Sequence, residues 1–380
     1  MTAHDTWLTL GLAPRGLQRR LRETLAAGHC AEETLDLMRA EARRIARERP
    51  QHAQTLQRWL AGPDATQLDA CHAWLDADTN RQFLTREHPH WPRAFAGVGG
   101  MPLLLYAEGD TELLRTPALA VVGSRNPTPT GARIAERMCR ALGAAGLSII
   151  SGLASGIDAC AHRGALRGQG ITVAVCGRGL DDTYPARNRE LARDIARTGL
   201  LLSEYSPGTP PARGHFPARN RIIAALGRGT LVVEAALGSG SLITARQALQ
   251  YGREVFAVPG SIDNPLARGC HQLLRDGAHL VESPADIVDV LAPGLAQGGL
   301  LQYEDDAGAH PALPSATDPA ADDPQQRCLL DALDATPTGI DTLVSRTGLP
   351  AADISSMLLI LELQGAVAMA PGGGYQKLGK

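Results

Sequence analysis

Between Ala118 and Val281 the chain alternates short, continuously apolar runs with amphipathic stretches. The runs are Ala118–Val122, Leu147–Ser151, Ile171–Cys176, Leu200–Ser203, Thr230–Glu234, Glu254–Val258 and Ala278–Val281. Strands that are apolar throughout belong in a parallel sheet covered on both faces. The stretches between them, such as 131–145 and 157–166, have helical spacing. The alternation predicts an α/β fold, an extended Rossmann-like doubly wound parallel sheet over 118–291.

The flanks have other periods. In 1–80, Leu8, Leu10, Leu12, Leu17, Leu21 and Leu25 fall near helical spacing, which predicts a helical N-terminal domain. Its many arginines suit a solvated face, or an accessory contact with nucleic acid or a partner. Residues 81–117 are expected to be a connecting segment with one short edge strand. Residues 292–324 are Pro-, Gly-, Ala- and Asp-rich and should form a flexible linker. In 325–380, helices over 326–334, 339–347 and 351–364 and a hairpin over 365–378 predict a winged helix. Its third helix carries Asp353, Ser355, Ser356 and Glu362 but no Arg or Lys. A protein contact or a structural role suits that module at least as well as DNA reading.

Charge changes the picture for the central region. The whole chain carries a formal −3, but from 118 to 291 there are 19 arginines against 14 acidic residues. Lys377 and Lys380 are the only lysines, so arginine does the cationic work. A GC-rich genome would produce the same bias. No apolar run reaches the ~18 residues of a membrane span, and the N-terminus lacks the pattern of a signal peptide. The seven cysteines have no C-x-x-C spacing, which argues against a zinc site and a disulfide framework. Reduced thiols in a cytoplasmic protein are expected, with no metal and no cofactor.

Ligands of doubly wound sheets bind where the strands end. The loops there are rich in Gly and Ser: Gly123-Ser-Arg125 to Gly131, Ser151-Gly-Leu-Ala-Ser-Gly-Ile-Asp158, Gly177 to Pro185, Gly238 to Thr244 and Pro259-Gly-Ser261. Such loops offer free N–H groups and helix N-termini to phosphate, and Arg125, Arg178 and Arg187 add charge. Each glycine could instead serve only a tight turn, and Asp158 only a helix cap. There is no G-x-G-x-x-G, no acid ending the second strand and no Walker A loop, which disfavours NAD and nucleoside triphosphates. His162, His215 and His271 have no nucleophile at motif spacing, so no catalytic set is expected. Glu234 could be a base, but among so many arginines it is read as an anchor for one of them.

The words Val121-Val-Gly-Ser-Arg125, Ser151-Gly-Leu-Ala154, Gly156-Ile-Asp158, Tyr184-Pro185, Ser203-Glu-Tyr205, Phe216-Pro-Ala-Arg-Asn-Arg-Ile-Ile223, Ser239-Gly-Ser-Leu-Ile-Thr244 and Phe256-Ala-Val-Pro-Gly260 occur in this order. With them the chain resembles the DprA/Smf family over about residues 85 to 290. The resemblance implies a non-enzymatic protein that binds single-stranded DNA, forms a homodimer, and protects incoming DNA and loads RecA in natural transformation. It also implies a SAM/HhH-like N-terminal domain. The family's basic contacts fall on Arg125, Arg187 and Arg213, the last two often lysine in relatives. With the loop residues, the candidate DNA-binding set is Gly123, Ser124, Arg125, Ser151, Gly152, Gly156, Arg187, Asn188, Arg213, Phe216, Arg219, Asn220, Arg221, Gly240 and Ser241. The dimer and RecA surface would include Leu249 and Leu274, which could equally be helix core. Two rival classes are a nucleotide-binding or nucleoside-monophosphate-hydrolysing Rossmann-like enzyme and a transcription regulator built on the C-terminal module.

Overall fold

The computed structural model describes residues 2–295, 324–334, 336–363, 366–370 and 373–377. Most of the segment expected as a linker therefore lies outside the described residues.

Five helices open the chain: α1 (Ala3–Gly11), α2 (Arg15–Ala26), α3 (Ala31–Glu48), α4 (Pro50–Leu60) and α5 (Ala65–Asp76). Thr2 and Asp5 start α1 with a reciprocal capping box. Leu17, Leu21 and Leu25, four residues apart along α2, are all buried with Trp7, Leu10, Leu35 and Met38. Burying each leucine contributes about 1.5–3 kcal/mol. The same cluster includes Leu104, Tyr106, Ala174 and Ile195, so the helices pack directly on one end of the sheet.

That sheet has nine strands. β1 (Arg81–Thr85) and β2 (Leu104–Gly109) come first. Then follow β3 (Ala118–Val122), α6 (Pro129–Ala144), β4 (Ser148–Ser151), α7 (Ile157–Arg167), β5 (Thr172–Cys176), α8 (Arg189–Thr198), β6 (Leu200–Ser203) and α9 (His215–Leu226). The series ends with β7 (Gly229–Val232), α10 (Gly240–Gln250), β8 (Glu254–Ala257), α11 (Arg268–Arg275), β9 (His279–Leu280) and α12 (Pro284–Leu295). The spatial order is β1-β2-β6-β5-β4-β3-β7-β8-β9. β3 to β9 are parallel, as expected.

The segment 81–117 differs from expectation. It supplies two strands, β2 antiparallel to β6 and β1 antiparallel to β2, so the sheet is mixed and β2 is interior. β1 was hidden because Arg81, Gln82 and Phe83 are only half-buried and the strand has no apolar run.

Both faces of the sheet are covered. Ala120, Val122 and Ile150 pack with Ile222, Ile223 and Leu242 of α9 and α10. Leu119, Val121 and Ile149 pack on the other face with Met138, Leu142 and Ile157 of α6 and α7. Chain order reverses at β3: it runs outward to β6, then returns to place β7 on the other side. The carboxyl ends of β3 and β7 therefore flank the switch point, where doubly wound sheets open a crevice.

The C-terminal module contains α13 (Pro324–Ala332), α14 (Ile340–Thr347), α15 (Ala351–Leu363) and the antiparallel pair β10 (Val367–Met369) and β11 (Tyr375–Lys377). Leu329, Leu333, Leu343, Ile354, Leu358 and Val367 form its own core. Among the described residues, no helix is long and apolar enough to cross a membrane.

Candidate nucleic-acid interface

Two adjoining clefts open at the switch point. The first, of about 180 Å³, is lined by Gly123, Arg125, Phe216, Asn220, Ser239, Gly240 and Ser241, among others. The second, of about 260 Å³, is lined by Arg125, Asn126, Ser155, Arg178, Tyr184, Arg187 and Phe216, among others. Arg125, Ala154, Phe216 and Arg219 border both, so the clefts form one groove with Phe216 at its waist.

The groove's outer wall is cationic and aromatic. The Arg125 guanidinium lies 5.5 Å from the centroid of the Phe216 ring, within cation–π range. Tyr184, 50% exposed, sits 5.5 Å from the same ring. Arg187 is exposed and donates through Nε to Ser155 Oγ at 2.8 Å. Arg178 joins from the next loop but is half-buried and paired with Asp182 at 2.7 Å. At the far end, Ser239 caps α10, with its Oγ accepting from Ser241 N.

The floor is made by Arg219, only 3% exposed. Its Nη1 donates to the carbonyl oxygens of Gly152 and Val175, and its Nη2 lies 3.9 Å from Asp158. Asp158 also accepts from the N–H groups of Gly152 and Ala154. Burial pushes the Asp158 carboxyl above its ordinary value, against the opposing pull of Arg219 and those two N–H groups. A Cβ at position 152 would collide with the Arg219 guanidinium, so glycine there leaves that group its place under the loop. Gly156 has φ +80°, and a Cβ on it would strike the Ser124 carbonyl, so it lets the first two loops close on each other.

Several expected site residues thus hold the groove rather than line its wall. Arg219 does not reach the surface. Ser151 is buried and donates to Val121 O at 2.6 Å. Asn188 is buried and donates to Leu153 O at 2.9 Å. Arg221 leaves the groove altogether: its Nη2 binds both oxygens of the Glu204 carboxylate, beside Arg22 of α2. Arg213 is exposed in the loop before α9 but lines neither cleft. Leu249 on α10 is exposed, whereas Leu274 on α11 is half-buried against the core.

The expected histidine and glutamate roles also change. Glu234 is held by partners other than arginine among those the structure describes. Its carboxylate accepts from Thr128 N and Oγ1 and from Asn264 Nδ2, and burial pushes it up. His162 is buried against Thr172 Oγ1, and burial pushes it down to about 3. His215 stacks on Tyr205 with ring centroids 3.9 Å apart. Tyr184 and Ser239 were missed as site residues. The signal for Tyr184 was its place beside Pro185 in a loop after a strand.

The third helix of the C-terminal module, α15, contrasts with this groove. Leu359 and Ile360 are exposed on it, while Ser355 and Ser356 donate back to the carbonyls of Ala351 and Ala352.

A doubly wound sheet with a cationic, aromatic groove at its switch point and an appended winged helix defines the class: Rossmann-like α/β proteins that carry a winged-helix module. The family of DNA recombination-mediator protein A matches residues 82–292, and the DprA winged helix domain matches 313–373. The chain belongs to this DprA/Smf family. It is 40% identical to Protein Smf of Synechocystis over 320 residues, which cover 78% of this chain and 80% of the relative. It is 48% identical to DNA processing protein DprA of Streptococcus pneumoniae over 198 residues, 52% of this chain and 70% of the relative. The solved structure of that pneumococcal DprA superposes with a TM-score of 0.63 at 35% identity, covering 75% of this chain and 95% of that one. A Helicobacter pylori DprA structure, described as revealing a single-stranded DNA binding mode, gives 0.51 at 34% identity over 56% and 97%.

Proposed function

We propose that this protein is a non-enzymatic recombination mediator that binds single-stranded DNA in the groove, protects it and loads RecA during natural transformation. The carrying observation is the wall itself, with Arg125 over Phe216 and with Tyr184 and Arg187 beside them. Guanidinium forks match phosphate oxygens, and exposed rings accept bases of any sequence. The contact set is Gly123, Ser124, Arg125, Arg187, Phe216, Asn220, Gly240 and Ser241, with Arg213 at the approach. Ser151, Gly152, Gly156, Asn188 and Arg219 act beneath it as supports.

The hydrolase alternative is disfavoured by the lining. Among the described residues bordering the clefts, Asp158 is the one carboxylate, and it is buried against Arg219. Asp181 and Asp182, which pair with Arg178, and Glu234 line neither cleft. The homodimer and RecA contacts are assigned to the outer helices that carry Leu249 and Leu274. The exposure of Leu249 supports this reading.

Fluorescence anisotropy of labelled oligo-dT and its duplex across a salt series tests the proposal. Preference for the single strand with a steep salt slope is expected, followed by faster RecA assembly on coated DNA. Equal or absent binding at low salt would reject the reading.

A further inference from the structure

A second cluster of chemically competent side chains lies outside the groove, where α1 meets α5. His4, Asp5 and His72 each offer one ligand atom, and the three atoms lie within 4.8 Å of one another. Asp5 Oδ1 is 2.9 Å from His72 Nε2 and 3.6 Å from His4 Nδ1. A tetrahedral zinc with bonds of about 2.0–2.1 Å needs its ligand atoms roughly 3.3 Å apart. Both pairs lie close to that spacing, and the third pair, His4 with His72, lies within 4.8 Å.

The second heteroatoms of His4 and Asp5 are already engaged, which aims the first ones. His4 is 3% exposed, and its Nε2 meets Tyr106 Oη at 3.0 Å. Tyr106 Oη in turn contacts Cys71 Sγ at 3.4 Å. With Nε2–H donating to Tyr106, the lone pair sits on Nδ1, a buried atom with no hydrogen-bond partner. Asp5 Oδ2 accepts from Thr2 N at 2.8 Å, which leaves Oδ1 facing the two imidazoles. Ligand histidines are usually held in this way through their other nitrogen. His72 is 40% exposed, which leaves a path for the ion and a place for water as fourth ligand.

We propose that His4 Nδ1, Asp5 Oδ1 and His72 Nε2 form a site for a divalent transition metal, zinc by ligand type. Such an ion fastens the start of α1 to α5. Through Tyr106 on β2, and Phe83 of β1 whose ring lies 5.0 Å from His4, it also ties the N-terminal helices to the antiparallel edge of the sheet.

The test uses the full chain, stripped with chelator and titrated with Zn²⁺ and Co²⁺. Expected is one equivalent per chain, with a visible cobalt spectrum that lacks the near-ultraviolet thiolate band. Zn²⁺ should raise Tm. His72→Gln, at a part-exposed position, should abolish the cobalt spectrum and the Tm rise. His52→Gln, at an exposed histidine elsewhere, should leave both unchanged. Tyr106→Phe keeps the ring, and should weaken zinc about ten- to hundredfold if the phenol orients His4. Equal stoichiometry and spectrum in wild type and His72→Gln would place the metal on other groups and overturn the proposal. So would the absence of any cobalt spectrum.

Discussion

The groove at the switch point and the winged helix are both architectures that hold nucleic acid in other proteins, yet their surfaces have opposite chemistry. The groove presents Arg125, Arg187, Tyr184 and Phe216 to one opening. The helix α15 presents Leu359 and Ile360, with Asp353 and Glu362 and no Arg or Lys. Architecture therefore assigns neither region its role; the exposed side chains do. A polyanion is favoured by the first surface and repelled or ignored by the second.

The two regions also differ in what their ion pairs are for, and this gives the largest expected effect. Arg219→Met leaves Asp158 buried without its cation, a loss of about 3–5 kcal/mol. Arg346→Met in the module breaks an exposed pair with Asp334, worth about 0–1 kcal/mol. Chemical denaturation of the two variants checks the contrast. Equal losses would mean that the groove floor is no more built than the module's surface.

Next comes binding. Arg125→Ala with Arg187→Ala should weaken oligo-dT binding by about 1.5 kcal/mol for each arginine. It should also flatten the salt slope by roughly 0.7 per lost phosphate contact. Removing residues 325–380 should leave both quantities unchanged. A slope that follows the module instead would reverse the comparison.

Stacking is smaller. Tyr184→Ala should cost about 1–3 kcal/mol in single-strand affinity with unchanged Tm, because the ring is half exposed. Anisotropy beside a melting curve separates the two effects.

The last prediction concerns acid. His162 is neutral in the folded sheet domain, pushed down to about 3, against an ordinary 6.5 when unfolded. Between those values the unfolded chain binds more protons, so folding weakens as pH falls below about 6.5. The slope is about 1.4 kcal/mol per pH unit for this residue. The module, 325–380, has no histidine. His162→Gln should therefore reduce the acid loss of the sheet domain and leave the module's unfolding untouched, as read by tryptophan and tyrosine fluorescence across pH.

The parallel strands from Ala118 onward were legible to within a residue or two, as were the three helices of the winged helix. Each needs only its own spacing of apolar positions, and that spacing is local. The convergence of Gly/Ser loops on one edge follows from the alternation of strand and helix. The word Arg219-Asn-Arg221 marks the limit. One arginine lies buried under the groove against carbonyls 67 and 44 residues away, and the other turns to Glu204 beneath the N-terminal helices. Identical side chains two positions apart on a helix point in different directions, and what each meets is set by distant segments. The meeting of His4 and Asp5 with His72 has the same origin. Periodicity in the chain determined the sheet, the helices and the edge where a ligand would lie. Only packing between remote residues decided which arginines stay free for that ligand, because the partners that neutralise the others are brought close by the fold rather than by neighbourhood in sequence.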